Sequence, residues 1–306
     1  MDRQQFEQTT RTVFDEIHRA QGDDQAIFKR LTGLLNTEYL GVSDDWFAGK
    51  TCLDAGCGSN ANATYSMLSM GAEKVYAFDL DPGGGETVLD TVPKYLNEFE
   101  GKYELRLSNV LDMDYADNSF DFSNCAGVLH HTADLYQGMR ELARVTKPGG
   151  TIYMLINGRG GLIRDITNLL RDKYEEDAKF RFFMDNLNEE RFGEIASWIS
   201  SEMAAHDDDM GEKVSMALLK TLFDQDLVLT IKDRIAAPVY HEFSEEEIVE
   251  WLQSNGFSQV KRLSRYPRYD NVRRFLSPLY NSYGHELSKM LFGSGQMGIK
   301  AIKDAS

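Results

Sequence analysis

Cysteine is scarce in this chain, with three in 306 residues, at positions 52, 57 and 125. An odd, scattered set offers no disulfide framework and points to a reducing compartment. Cys52 and Cys57 have no second pair, so the ligand spacing of a zinc site is missing and no metal is expected. Basic charge is also short: 33 Lys and Arg stand against 49 Asp and Glu, a formal net charge of −16. Such a chain is repelled by bulk nucleic acid and by anionic membrane surfaces, which argues against both as partners. No apolar run approaches the roughly 18 residues of a membrane-spanning helix. The segment from Met1 to Glu7 has no apolar stretch of the signal-peptide kind, so the expected location is cytoplasmic.

What is present is ordinary globular composition, 42% apolar and 27% charged. Its length suits about two domains, or one with a large insertion. Residues 1–47 read as a helical segment. Phe6, Val13, Phe14 and Ile17 recur at helical spacing, as do Ile27, Leu31, Leu34 and Leu35. From residue 48 to 157, short apolar runs alternate with amphipathic stretches. Thr51–Leu53, Lys74–Phe78, Tyr103–Leu107, Phe120–Ala126 and Thr151–Ile156 are strand candidates. That alternation predicts an α/β domain with a largely parallel sheet between helices.

One helix follows His131, with Thr132 as its expected cap and Leu135, Met139, Leu142 and Val145 as its apolar stripe. Another opens on Ser244 and Glu247, the spacing of a capping box, and stops at Asn255-Gly256. Between them, residues 158–238 interrupt the alternation. They read as an acidic, aromatic-rich helical insertion, a lid or a surface for a second copy of the chain. Residues 239–306 return to the core with a last helix and strands, Met297–Ile302 among them. Lys261, Arg262, Arg265, Arg268, Arg273 and Arg274 make 261–274 the one basic stretch.

The strongest local signal is Leu53-Asp54-Ala55-Gly56-Cys57-Gly58-Ser59-Asn60, which follows a strand and opens a helix. Glycine lets the backbone turn sharply and lets a ligand approach closely. Asp79, at the end of the second strand, can accept both hydroxyls of a ribose. A nicotinamide site fits poorly. The third glycine of that fingerprint is missing, and Asp54 would repel a pyrophosphate while attracting an ammonium or sulfonium.

With these residues the chain resembles the class I S-adenosylmethionine-dependent methyltransferases. Asp54 to Gly58 are similar to the family's first motif, Asp79 to its ribose-binding acid, and Ser108-Asn109-Val110 to its adenine-contacting turn. Phe120-Asp121, Gly127 to His131 and Arg144 to Gly150 resemble its fourth strand and the turn into the fifth. Asn60 stands where a third glycine is frequent, and Asn109 where an aspartate is usual. The resemblance implies a Rossmann-like seven-stranded sheet, mostly parallel with one antiparallel strand, formed by Met297–Ile302. It implies S-adenosylmethionine as cofactor, held by Asp54, Gly56, Cys57, Gly58, Asp79, Leu80, Asn109, Val110 and Ala126.

Methyl transfer from a sulfonium needs positioning and exclusion of water rather than a metal. A base is needed only where the acceptor loses a proton. His130 and His131 are candidates for that base, and His241 is a weaker one. Asn157, Arg159 and Arg164 follow the fifth strand, where an Arg can clamp a carboxylate. The expected substrate is therefore a small molecule. One finer reading is the S or N atom of an amino-acid-like acceptor, with a faint similarity to bacterial methionine S-methyltransferases. The alternatives are O-methylation with His as base, and modification of RNA or protein.

Overall fold

The computed structural model describes residues 10, 25–81, 86–187, 191, 194, 197, 198, 201, 202, 205, 234–238, 240–264 and 285–305. Phe6, Val13, Phe14 and Ile17 lie outside them, as do Arg265, Arg268, Arg273 and Arg274. The chain divides into two compact units. One holds Met1–Gly160, Pro238–Arg265 and Ser294–Ser306, and the other holds Gly161–Ala237 and Tyr266–Gly293.

The first unit is built on seven strands: β1 (Thr51–Ala55), β2 (Lys74–Asp79), β3 (Tyr103–Leu107), β4 (Phe120–Ala126), β5 (Thr146–Asn157), β6 (Phe257–Leu263) and β7 (Gln296–Lys303). Their order is β3-β2-β1-β4-β5-β7-β6. Strands β1 to β5 pair in parallel, and β7 lies antiparallel to both β5 and β6. This is the seven-stranded mixed sheet that the methyltransferase resemblance implied, with its antiparallel strand where expected.

Residues alternate across the sheet with period two, so each strand feeds two cores. On β5, Ile152, Met154 and Ile156 join one core, while Tyr153 and Leu155 join the other. The first core takes Leu135, Met139 and Leu142 from helix α5 (Leu135–Val145) and Ile248 and Leu252 from α8 (Glu245–Ser254). The second takes Leu40 from α2 (Thr37–Leu40), Met67 and Leu68 from α3 (Asn62–Ser69), and Val88 from α4 (Val88–Thr91). It also takes Leu35, beyond the end of α1 (Gln25–Thr32). Helix α1 stops at Thr32, before Gly33, so Leu34 and Leu35 sit in the following turn rather than on the helix the spacing suggested.

Two local readings change. Helix α5 is capped by Asp134, whose side chain accepts from the Gln137 N–H. Thr132 instead donates its hydroxyl to the Leu129 carbonyl and closes the preceding turn. The capping box of α8 is present as expected, with the Ser244 N–H donating to Glu247 Oε2 at 2.7 Å.

In the second unit, α6 (Leu162–Glu176) and α7 (Ala178–Asp185) are joined by Asp177, which caps α7 through the Lys179 and Phe180 N–H groups. Met184, Leu187 and Ile235 form its small core, against Leu170, Tyr174 and Phe180. Arg171 donates to the carbonyls of Arg234 and Ala237. Helix α9 (Glu286–Phe292) completes its described part. Phe182, Phe183 and Trp198 are exposed rather than packed. Among the described residues, no helix is long and apolar enough to cross a membrane.

Candidate cofactor and acceptor site

In an open α/β sheet, the crevice for ligands lies beyond the carboxyl ends of the strands, where the strand order reverses. Here that point is between β1 and β4. The loop after β1 turns on Gly56 and Gly58, with φ of +78° and +67°. L-residues with a side chain rarely adopt this region, which is why both positions are glycine. The Gly56 and Cys57 N–H groups both donate to the Phe78 carbonyl on β2, at 2.9 and 3.0 Å. The Gly58 N–H donates to Asp79 Oδ2 at 2.7 Å, and the Leu80 N–H to Asp79 Oδ1 at 2.8 Å. One half-buried carboxylate thus fixes the glycine loop and still has lone pairs for a diol.

Asn109, after β3, accepts the Leu111 N–H on its side-chain oxygen at 2.9 Å, an Asx turn that leads through the buried Val110. Ala126 ends β4, and Gly127 turns the chain with φ +83°. Burial raises the Cys57 thiol well above its ordinary value. It therefore stays protonated and belongs to the second core.

Asp54 lies deeper than a loop-entrance acid. It is 1% exposed, accepting from Thr64 Oγ1 at 2.6 Å and from Asn124 Nδ2 at 2.7 Å. Burial, the largest influence, leaves its carboxyl titrating above the ordinary value, although these two donors pull the other way. Asn60 is buried as well, accepting from Asn62 Nδ2.

On the acceptor side, His130 and His131 form a buried turn after β4 with their rings 4.3 Å apart. Tyr240 stands edge-on to both, at 5.9 and 5.4 Å. The His241 N–H donates to the His130 carbonyl, and its ring Nε2 lies 3.1 Å from the Thr132 carbonyl. His241 thus reaches backbone rather than the other two rings. Asn157 is buried at the end of β5. Arg159 faces Glu247 Oε1 at 3.2 Å and the Glu242 carbonyl at 3.3 Å. Arg164 is on α6, in the second unit. Lys261 and Arg262 of the basic stretch lie on β6, where Arg262 pairs with Glu245 at 2.7 Å.

Thr64, Asn124 and Tyr240 were not among the expected site residues. Asn124 reaches Asp54 because the parallel register of β1 and β4 sets them side by side, a pairing 70 positions apart that no local pattern announces. Among the described residues, no cluster of three or more His, Cys, Asp or Glu side chains has the arrangement to hold a metal ion.

The sheet order, the glycine loop and the acid anchored at the end of β2 are features of the class I S-adenosylmethionine-dependent methyltransferase fold. Residues 53–154 match the family described as methyltransferase domain. Among curated relatives, methyltransferase GfsG of Streptomyces halstedii is 30% identical over 151 residues, which cover 48% of this chain and 53% of the relative. The 27-O-demethylrifamycin SV methyltransferase of Amycolatopsis mediterranei is 26% identical over 156 residues, 49% of this chain and 56% of the relative. The chain thus spans about half the length of these relatives. The 1,6-didemethyltoxoflavin-N1-methyltransferase of Burkholderia thailandensis, solved with 1,6-didemethyltoxoflavin and S-adenosylhomocysteine, shares the fold. Its TM-score is 0.51 at 14% identity, covering 99% of this chain and 91% of that one.

Proposed function

We propose that this protein transfers a methyl group from S-adenosylmethionine to a small-molecule acceptor. The observation that carries the reading is the Asp79 anchor, a single carboxylate that holds both the Gly58 and Leu80 N–H groups beside the loop. The donor set suits the cofactor's chemistry. Asp79 would hold the ribose hydroxyls, Asn109 and Val110 the adenine, and the loop with Asp54 the cationic amino-acid end. When bound, the cofactor supplies an electrophilic methyl on a sulfonium: the acceptor's lone pair forms the new bond, and the S–CH3 pair returns to sulfur. The chain's own residues position the two partners and keep water out.

The test uses cofactor with a labelled methyl group, incubated with the protein and a cell extract. Label is expected in the metabolite fraction. Label confined to RNA or protein would sink the small-molecule reading. Asp79→Ala should weaken cofactor binding by about 3 kcal/mol, roughly a hundredfold in Kd, as charge-assisted bonds are lost. Asp79→Asn, which keeps an acceptor for Gly58, should lose less.

Within this class, a second reading concerns the acceptor atom. The His130–His131–Tyr240 ring cluster favours a hydroxyl acceptor, whose proton must go to a base as the new bond forms. His131→Gln should then lower kcat about a hundredfold or more and leave the cofactor Kd within about threefold. An unchanged kcat would remove His131 from the chemistry. The amino-acid-like acceptor has less support, because Arg159, one of the two arginines (with Arg164) that would clamp its carboxylate, is engaged by Glu247.

A further inference from the structure

Helix α5 carries two stripes. Leu135, Met139, Leu142 and Val145 enter the first core. Gln137, Glu141 and Arg144, spaced i, i+4 and i+7, share another face. On most surface helices such side chains meet water. Here they meet the backbone of the segment between β3 and β4. Gln137 Nε2 donates to the Leu111 carbonyl at 3.2 Å, and Glu141 Oε2 accepts the Met113 N–H at 2.8 Å. Arg144 donates through Nη2 to the Met113 carbonyl at 2.7 Å and through Nη1 to the Tyr115 carbonyl at 2.6 Å. Glu141 also accepts from Arg144 Nε at 2.9 Å and Nη2 at 2.7 Å, so the two side chains hold each other.

Residues 108–119 lie in no helix or strand, yet Leu111 and Met113 are buried. Their peptide groups therefore need partners, which accounts for a clamp of some kind. It does not account for where the clamp begins. The Leu111 N–H donates to Asn109 Oδ1 at 2.9 Å. Gln137 thus holds, by its carbonyl, the residue whose N–H fixes the Asn109 side chain.

We propose that Gln137, backed by Glu141 and Arg144, is a positioning residue that aims the Asn109 side-chain oxygen at the 6-amino group of the bound adenine. The inference rests on the function proposed above, in which Asn109 faces that base. An amide oxygen has two acceptor sites, so a bond to one of them directs the other. An acceptor already held in place need not be ordered when the ligand arrives, and it rejects a purine with an oxo group at that position. Part of the selectivity for adenine is thus set on α5, beyond the turn that meets the base.

Calorimetric Kd values for S-adenosylhomocysteine and S-inosylhomocysteine, whose purine carries an oxo group in place of the 6-amino group, test this. Wild-type protein should prefer the adenine ligand by about tenfold or more. Gln137→Met keeps the length of the side chain and removes only its amide. It should raise the Kd of the adenine ligand about fivefold and that of the inosine ligand less than about twofold. Arg144→Lys, which can reach only one of the two carbonyls, should narrow the same preference. Asn109→Ala should abolish it, and adding Gln137→Met to Asn109→Ala should change neither Kd by more than about twofold. Melting curves identify the variants that fold, and either Gln137→Met or Arg144→Lys alone decides the question. Equal weakening of both ligands, no change in either, or a loss that adds in full to that of Asn109→Ala would reduce the clamp to loop packing and overturn the proposal. Wild-type protein that binds the two ligands equally would overturn it as well. Wild-type protein that binds neither would instead overturn the methyltransferase reading itself.

Discussion

At the scale of single residues, the loop is specified by contacts that leave no room. Gly56 takes φ +78°, and a Cβ built on it would lie 2.3 Å from Val128 Cγ2. Gly56→Ala therefore meets two penalties, about 1–2 kcal/mol of backbone strain and about 1–3 kcal/mol of overpacking. We expect a melting temperature lowered by several degrees and cofactor binding lost. Adding Val128→Ala should recover the packing part and leave the backbone part. Full recovery would show that the left-handed conformation is not required.

The glycines and Asp79 are legible in the sequence because a tight turn and a strand-end acid are local patterns. Thr64 and Asn124 are not, because their roles exist only once α3 and β4 have closed on β1. Arg159 is a different case. Its position after β5 invites a ligand role, and the structure adds an exposed ion pair with Glu247 that no local pattern announces.

At the scale of elements, capping chemistry is the most readable feature. The α8 box follows from Ser244 and Glu247 three positions apart. Ser244→Ala should lower stability by about 1 kcal/mol, read from urea midpoints. The Glu247 carboxyl is held below its ordinary value, chiefly by the Ser244 N–H. A carboxylate with a lowered folded value stabilises the fold above its unfolded value, about pH 4.3. That contribution fades as the pH falls through the folded value. The stability gap between wild type and Glu247→Gln should therefore be present near neutral pH and narrow in acid.

Helix α5 shows how such a reading slips. Two capping side chains, Thr132 and Asp134, stand near its start, and the turn formed by Leu129 to His131 takes the first for itself. Strand β6 is harder to see. Gln259, with φ +49°, breaks the register between Ser258 and Lys261, so the alternation that marks a strand is interrupted inside it.

At the scale of the whole molecule, the seven-stranded pattern was reached through motif order, since periodicity alone gives strands without their sequence in the sheet. The net charge of −16 reads without any structure, and it agrees with a site whose two carboxylates, Asp54 on β1 and Asp79 on β2, have no cation among their hydrogen-bond partners in the described residues.

The sheet order also governs how the molecule can be made. Strand β7 follows β6 in the sequence, yet it lies between β5 and β6 rather than at an edge. Until residues 296–303 emerge from a ribosome, β5 and β6 each present an unpaired ladder, and unpaired edges recruit neighbours. The first five strands can assemble as synthesis proceeds, but the sheet is complete only once β7 has paired with β5 and β6. A nascent chain stalled before that segment is therefore the species most in need of a chaperone, and the completed strand acts as its release.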